Sequence, residues 1–267
     1  MLIGIMPLSA FALSSDDIII LYENDVHCAV EGYSKLAAMK NELSETYTNV
    51  GVVSVGDFVQ GGTLGAVSKG EYIVNLMNKV GYDAIALGNH EFDNGMTKLE
   101  KYVSGLNADL ISSNYDVSAT KLKKYFKPYV VKTVGDNRIG FLTIDIAPHG
   151  LIDSVKCIGI EYLDAVKAAN SIAWYLKYVE KVDAVVAITH IGYNELDAVS
   201  DVKLAGATEN IDVIIGGHSH TLINPQIENA RQSRFVNRAG DSVLVAQTGK
   251  YGAYVGEILI DFNNSRI

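Results

Sequence analysis

Residues 18–27 read IIILYENDVH. Ile18 to Tyr22 form a short apolar run rich in β-branched side chains, which reads as a buried strand. The chain turns polar immediately afterwards, at Asn24, Asp25 and His27. Asp25 and His27 stand two apart, so in extended chain both side chains point to one face.

Working outward, the same unit recurs. VGVVSV at 50–55 runs into Gly56-Asp57, and DAIAL at 83–87 runs into Gly88-Asn89-His90. DAVVAIT at 183–189 ends at His190, and the apolar run 211–215 ends at Gly216-Gly217-His218. Helical spacing fills the intervals at 33–43, 71–80, 96–106 and, longest, 161–182; 109–112 reads as a further strand. This alternation favours an α/β domain. Two parts read as antiparallel. Segments 129–134 and 138–144 flank Gly135-Asp136-Asn137 as a hairpin, and 243–247 with 254–260 reads as a closing pair. The 267 residues are 48% hydrophobic, show no repeat or linker, and fit one large domain.

Five of the six histidines directly follow these strands: His27, His90, His190, His218 and His220. In α/β sheets, ligands bind beyond the carboxyl ends of strands. Asp25 with His27, Asp57, Asn89 with His90, His190, and His218 with His220 therefore reach one rim. Each piece alone is ordinary loop chemistry. The five in order read as a shared metal site. It is a nitrogen and oxygen donor set without thiolate, which suits zinc, manganese, iron or cobalt rather than a structural zinc.

The ordered set Asp-x-His, Gly-Asp, Gly-Asn-His-Glu, His and Gly-His-x-His resembles the calcineurin-like metallophosphoesterase superfamily. It is most similar to the branch of 5′-nucleotidases, UDP-sugar hydrolases and 2′,3′-cyclic nucleotide phosphodiesterases, through YENDVH at 22–27 and GNHEFD at 88–93. The resemblance runs from Ile18 to Phe262. It implies a four-layer αββα sandwich, two mixed β-sheets flanked by helices. It also implies two divalent cations, the first held by Asp25, His27 and His220, the second by Asn89, His190 and His218, with Asp57 bridging. Such a pair activates water and neutralises the phosphoryl oxygens of an ester, here a small-molecule phosphate ester, expected to be a nucleotide. With Asn89 facing the metal, His90 faces the substrate, where it stabilises the phosphoryl group or protonates the leaving oxygen. Asp93, three residues on, orients the imidazole; its other reading is an N-cap for the helix from Met96. Other activities within the branch, on UDP-sugars, cyclic nucleotides or sulfur-bound substrates, are the first alternative. A metal-binding interaction module without turnover is the second.

The branch carries a C-terminal domain that reads the nucleobase, and here the sequence given stops at Ile267, just after the last expected strand. The expectation is a catalytic domain at 14–267 without that specificity domain, hence weak substrate discrimination, or a partner domain encoded separately. Residues 1–13, MLIGIMPLSAFAL, end near a small-x-small site and read as the remnant of a signal peptide for a periplasmic or secreted protein, although no Lys or Arg precedes the apolar stretch. They are too few to span a bilayer. The net charge of −9 argues against a nucleic-acid partner. It leaves a phosphate substrate open, because bound cations reverse the local field.

The remaining residues receive plainer readings. Cys28 and Cys157 either pair or stay as thiols. His149 reads as a surface loop residue, and Lys121, Lys123, Lys124 and Lys127 as a solvated basic face. Trp174 and Tyr175 read as core residues of the long helix.

Overall fold

The apolar run that opens the chain becomes the second strand of a six-stranded sheet in the computed structural model, which describes residues 17–196 and 198–267. The 1–13 stretch read as a signal remnant lies outside the described residues. In chain order the first half holds β1 (Ile18–Glu23), α1 (Val30–Ser44), β2 (Val50–Ser54), α2 (Gly62–Ser68), α3 (Glu71–Val80), β3 (Ala84–Ile85), α4 (Met96–Gly105) and β4 (Asp109–Ile111). Short strands β5 (Tyr115–Asp116) and β6 (Phe126–Lys127) precede β7 (Val130–Val134) and β8 (Asn137–Asp145). Then come β9 (Glu161–Tyr162), α5 (Ala165–Tyr178), β10 (Ala184–His190), α6 (Asp201–Ala207) and β11 (Val213–Gly216). The last three are β12 (Arg234–Val236), β13 (Ser242–Ala246) and β14 (Gly256–Ile260).

Two mixed sheets form, ordered β14-β1-β2-β3-β4-β6 and β12-β13-β11-β10-β8-β7. Strands β1, β2, β3, β4 and β6 run parallel, with β14 antiparallel at the edge. Strands β13, β11, β10 and β8 run parallel, with β12 and β7 antiparallel at the two edges.

Strand alternation sorts the apolar side chains into three layers of core. Ile19, Leu21 and Val52 pack outward on Leu36 of α1, Ile73 and Met77 of α3, and Leu99 of α4. Ile18, Ile20, Tyr22 and Val53 pack inward on Ile139, Phe141, Val186, Ile188 and Val213 of the other sheet. Leu142, Ile144, Val185 and Ile214 pack on Ala169, Ala173 and Leu176 of α5 and Leu204 of α6. The result is the αββα sandwich. Strands buried on both faces must be apolar on both faces, which is why β1 shows an unbroken run.

The 129–144 hairpin forms as expected, with the pair Val134↔Asn137 closing on Gly135-Asp136. The expected closing pair of 243–247 and 254–260 does not form. β13 pairs with β11 and β12 in the second sheet, whereas β14 pairs with β1 in the first. The link between them crosses from one sheet to the other. The long helix begins later than its spacing suggests. Glu161 and Tyr162 pair with β5, and Asp164 caps α5 by accepting from the Lys167 amide at 2.9 Å. Trp174 and Tyr175 do not enter the core. Trp174 is exposed and lies against Tyr178, and Tyr175 against Tyr129; the buried stripe of α5 is instead Ala165, Ala169, Ala173 and Leu176.

Candidate metal centre

The carboxyl ends of β1, β2, β3, β10 and β11 deliver their loops to one place. The loops meet backbone to backbone at two glycines. Gly56 has φ +94°, and a Cβ there would lie 2.2 Å from the Gly88 amide nitrogen. A Cβ on Gly88 would lie 2.1 Å from Asp57 Oδ1. Only hydrogen fits at either site.

The expected geometry of the paired ligands is wrong in one respect. Asp25 and His27 are not extended; their φ values are 51° and 47°, and His218 and His220 stand at 74° and 55°. These left-handed turns split the second pair, so that His220 goes to one ligand group and His218 to another.

The first group is Asp25, His27 and His220, and the second is Asp57, His190 and His218; His27, Asp57 and His90 also converge between them. Within each, one donor atom per residue lies within 4.8 Å of the others. Asp57 links them, with Oδ2 3.2 Å from His190 Nε2 and 3.9 Å from His27 Nε2. Its Oδ1 accepts from the His90 amide at 2.9 Å. His220 Nε2 is 3.4 Å from Asp25 Oδ1. Asn89 Oδ1 lies 2.9 Å from His218 Nδ1.

The donors are aimed as cation ligands. His190 Nδ1 donates to the Val55 carbonyl at 2.8 Å, which turns Nε2 inward. That nitrogen is buried and makes no well-aligned hydrogen bond, although Asp57 Oδ2 lies 3.2 Å away. His27 Nδ1 lies 3.1 Å from the Gln60 carbonyl, so its Nε2 also points inward, and it stands only 3.2 Å from His220 Nε2. Two ring nitrogens at that separation need a shared proton or a shared cation. A divalent cation in each group satisfies the buried His190 nitrogen, the facing imidazoles and the buried carboxylates together, so the residues present fit two metal ions.

Electrostatics point the same way. Burial disfavours a charge on His190, yet the carboxylate of Asp57 overrides it and pushes this imidazole up to about 10. Burial alone would raise Asp57, and His190 with His90 instead drags it well below the usual carboxylate range. A metal-ligating imidazole must be neutral, so cation binding here is linked to loss of the His190 proton. Burial, then the charge on His190, pushes His218 down to about 4. Burial also pushes Glu23 up to about 8 and Asp145 up to about 7.

His90 stands at the mouth, 33% exposed, and its Nδ1 is 2.7 Å from Asp93 Oδ2. Burial opposes its protonation, but Asp57 and the Asp93 bond raise it overall. Asp93 does not cap α4, because Gly95 holds the cap position.

Two supporting residues carried no role in the sequence reading. Glu91 is fully buried by a single 3-10 turn at His90–Phe92 and accepts from the amides of Asp57, Phe58, Val59 and Gly88 at 2.7–3.2 Å. Asn24 donates to Asp25 Oδ2 and to the Gly249 carbonyl, each at 2.7 Å, and accepts from the amide and hydroxyl of Thr248. Their sequence signal was adjacency to Asp25 and His90, without any hint of direction. The plainer readings mostly stand. Cys28 and Cys157 are unpaired, and burial pushes the Cys28 thiol, which donates to the Phe58 carbonyl, up to about 12. His149 is exposed. Lys121 and Lys124 pair with Glu100, and Lys127 with Asp109.

A model of the family described as calcineurin-like phosphoesterase matches residues 19–222. The trifunctional nucleotide phosphoesterase protein of Bacillus subtilis is 29% identical over 94% of this chain and 18% of its own length. The 5′-nucleotidase of Bos taurus is 29% identical over 92% of this chain and 47% of its own. The chain thus spans less than half the length of either relative. Among solved structures, a 5′-nucleotidase precursor from Thermus thermophilus is 28% identical with a TM-score of 0.81, covering 91% of this chain and 51% of that one. The NAD nucleotidase of Haemophilus influenzae is 25% identical with a TM-score of 0.82, covering 91% and 52%.

Proposed function

Because the chain belongs to the calcineurin-like phosphoesterase family, we propose that it is a two-metal phosphoric ester hydrolase acting on nucleoside 5′-monophosphates. The observation that carries this reading is the pair of donor groups joined by Asp57, with the buried Nε2 of His190 between the carboxylates of Asp57 and Asp25 and without a well-aligned hydrogen bond. In it, Asp25, His27 and His220 would hold one cation and Asn89, His190 and His218 the other, with Asp57 shared between the two groups. When bound, the cations supply an acidified water and neutralise the phosphoryl oxygens. The chain's own groups do the rest. Val55 and Gln60 fix the tautomers of His190 and His27 through their Nδ1 atoms. Asp93 accepts from Nδ1 of His90 and, with Asp57, favours the imidazolium, whose Nε2–H would then face the phosphoryl group or be given to the leaving oxygen.

Nucleotide substrates are supported by the names of the relatives, each of which carries more chain than is matched here. The unmatched lengths leave room for substrate recognition outside residues 14–267. An exported location is part of the same proposal, supported by likeness to snake venom 5′-nucleotidases. No helix among the described residues is long and apolar enough to cross a membrane. The test is phosphate release from AMP, a UDP-sugar, a 2′,3′-cyclic nucleotide and an aryl phosphate, with Mn²⁺ or Zn²⁺ added. Release that ends with a chelator and is highest on AMP supports the proposal. Bound metal without turnover on any ester refutes it.

A further inference from the structure

Twelve non-glycine residues among those described have positive φ, a region disfavoured for residues with a side chain. Seven lie at the centre: Asp25, His27, Cys28, Asp57, His218, His220 and Tyr251. Such outliers persist where the surroundings over-determine them, and they point from strain towards function. Six belong to the ligand loops. Tyr251, at φ 59°, is the seventh and is no metal donor in the groups above.

Tyr251 lies on the link from β13 to β14, the segment that crosses between the sheets. That backbone is pinned throughout. The Gly249 amide donates to the Thr221 carbonyl at 2.9 Å, beside His220, and the Gly249 carbonyl accepts from Asn24. The Tyr251 amide donates to the carbonyl of Asp25 at 2.8 Å. At Gly252 a Cβ would come within 2.3 Å of Gly32 Cα, and Lys35 donates to the Gly252 carbonyl at 3.0 Å. The Tyr251 ring is 54% exposed and stands edge-on to His27, with centroids 5.6 Å apart. The Lys250 ammonium lies 4.8 Å from its centre. An aromatic ring on a pinned backbone thus faces solvent, next to a residue of the first donor group, with a cation beside it.

We propose that Tyr251 is a substrate-contacting residue whose ring forms a wall for the leaving group, favouring esters in which that group carries an aromatic ring. The proposal rests on the metallophosphoesterase reading and adds to it a selectivity element within this chain. A preorganised ring costs little entropy on binding, and aromatic pairs prefer edge-on or offset contact of the kind an exposed ring offers.

The test is calorimetric titration of the full chain with Mn²⁺, using phenylphosphonate and methylphosphonate. The two share a headgroup, resist hydrolysis and differ by the ring. The wild-type protein is expected to bind phenylphosphonate more tightly. Tyr251→Ala should weaken phenylphosphonate by about 2- to 10-fold, the range of one aromatic pair, and leave methylphosphonate and Mn²⁺ content unchanged. Tyr251→Phe, which keeps the ring, should retain the wild-type ratio. An equal loss for both ligands would make Tyr251 a prop for the metal loops and overturn the proposal. So would an unchanged ratio in Tyr251→Ala, or no preference in the wild type. Failure of the wild type to bind methylphosphonate at all would refute the metal reading, and the proposal with it.

Discussion

Asn24 gives the sharpest test of how the centre is built, because it is 1% exposed and every polar atom of its side chain is used. Its amide nitrogen donates to Asp25 Oδ2 and the Gly249 carbonyl, and its oxygen accepts from the Thr248 amide and hydroxyl. Asn24→Ala leaves a buried backbone N–H and a backbone carbonyl unpaired. At about 1–3 kcal/mol for each such group, the loss should be about 2–6 kcal/mol. That is a large share of the roughly 5–15 kcal/mol that holds a typical domain together. Asp25 also loses its orienting donor, and loss of such a partner lowers metal affinity roughly 10- to 100-fold. Asn24→Asp is the discriminating companion. It has the same shape, so it opens no cavity, but it turns both donor contacts into contacts between acceptors and places a carboxylate 2.7 Å from Asp25 Oδ2. It should be at least as damaging as alanine. Urea unfolding followed by far-ultraviolet circular dichroism reads the first quantity, and competition with a chelating dye reads the second. If Asn24→Ala fell within about 0.5 kcal/mol of wild type and bound metal equally well, the idea that Asn24 couples Asp25 to the crossing segment would be wrong.

His90→Ala should lower turnover by roughly 10²–10⁴-fold, the usual contribution of a positioned acid, with metal content intact by elemental analysis, whereas Asp57→Ala should lose metal as well. Ile20→Ala, fully buried between the sheets, should cost about 2–5 kcal/mol in urea unfolding without changing the relative preference among esters. Asp109 supplies a pH signature away from the centre. Burial raises its carboxyl, but Lys127 and Lys132 outweigh that and hold it below the ordinary value. A depressed carboxyl contributes stability above its unfolded pKa and loses it as pH falls through the folded one. Asp109→Asn should therefore be less stable than wild type by at most about 1 kcal/mol near neutral pH, and the gap should close as the pH drops below about 3.9.

The residue types at the strand ends were legible because they follow a simple rule: a strand that must be apolar throughout makes the first polar residues after it conspicuous. Asp25, His27, Asp57, Asn89, His190, His218 and His220 all stand out this way, and all reach the centre. Their directions were not legible. The alternation rule applies to extended chain, and five of these residues, Asp25, His27, Asp57, His218 and His220, sit in left-handed turns beside loops that touch at Gly56 and Gly88. Glu91 shows the same limit, since one 3-10 turn decides whether a carboxylate after His90 faces a metal or four backbone amides.

The pairing of β13 and β14 failed for a different reason, and the failure bears on the site. Two apolar runs separated by a glycine-containing turn satisfy the hairpin rule locally, but neither pairing partner is local. β13 takes the place beside β11, and β14 the place beside β1, strands separated from each other by most of the chain. A hairpin would have placed residues 247–255 at the edge of a single sheet. The crossing carries them over the ends of both, where Thr248 and Gly249 meet Asn24, and the Tyr251 amide meets Asp25. The same topology that sequence periodicity misses is what sets an aromatic ring beside His27. Any substitution that lets the segment relax, Asn24→Ala first among them, should therefore weaken the phenylphosphonate preference together with metal affinity, whereas Tyr251→Ala should remove the preference alone.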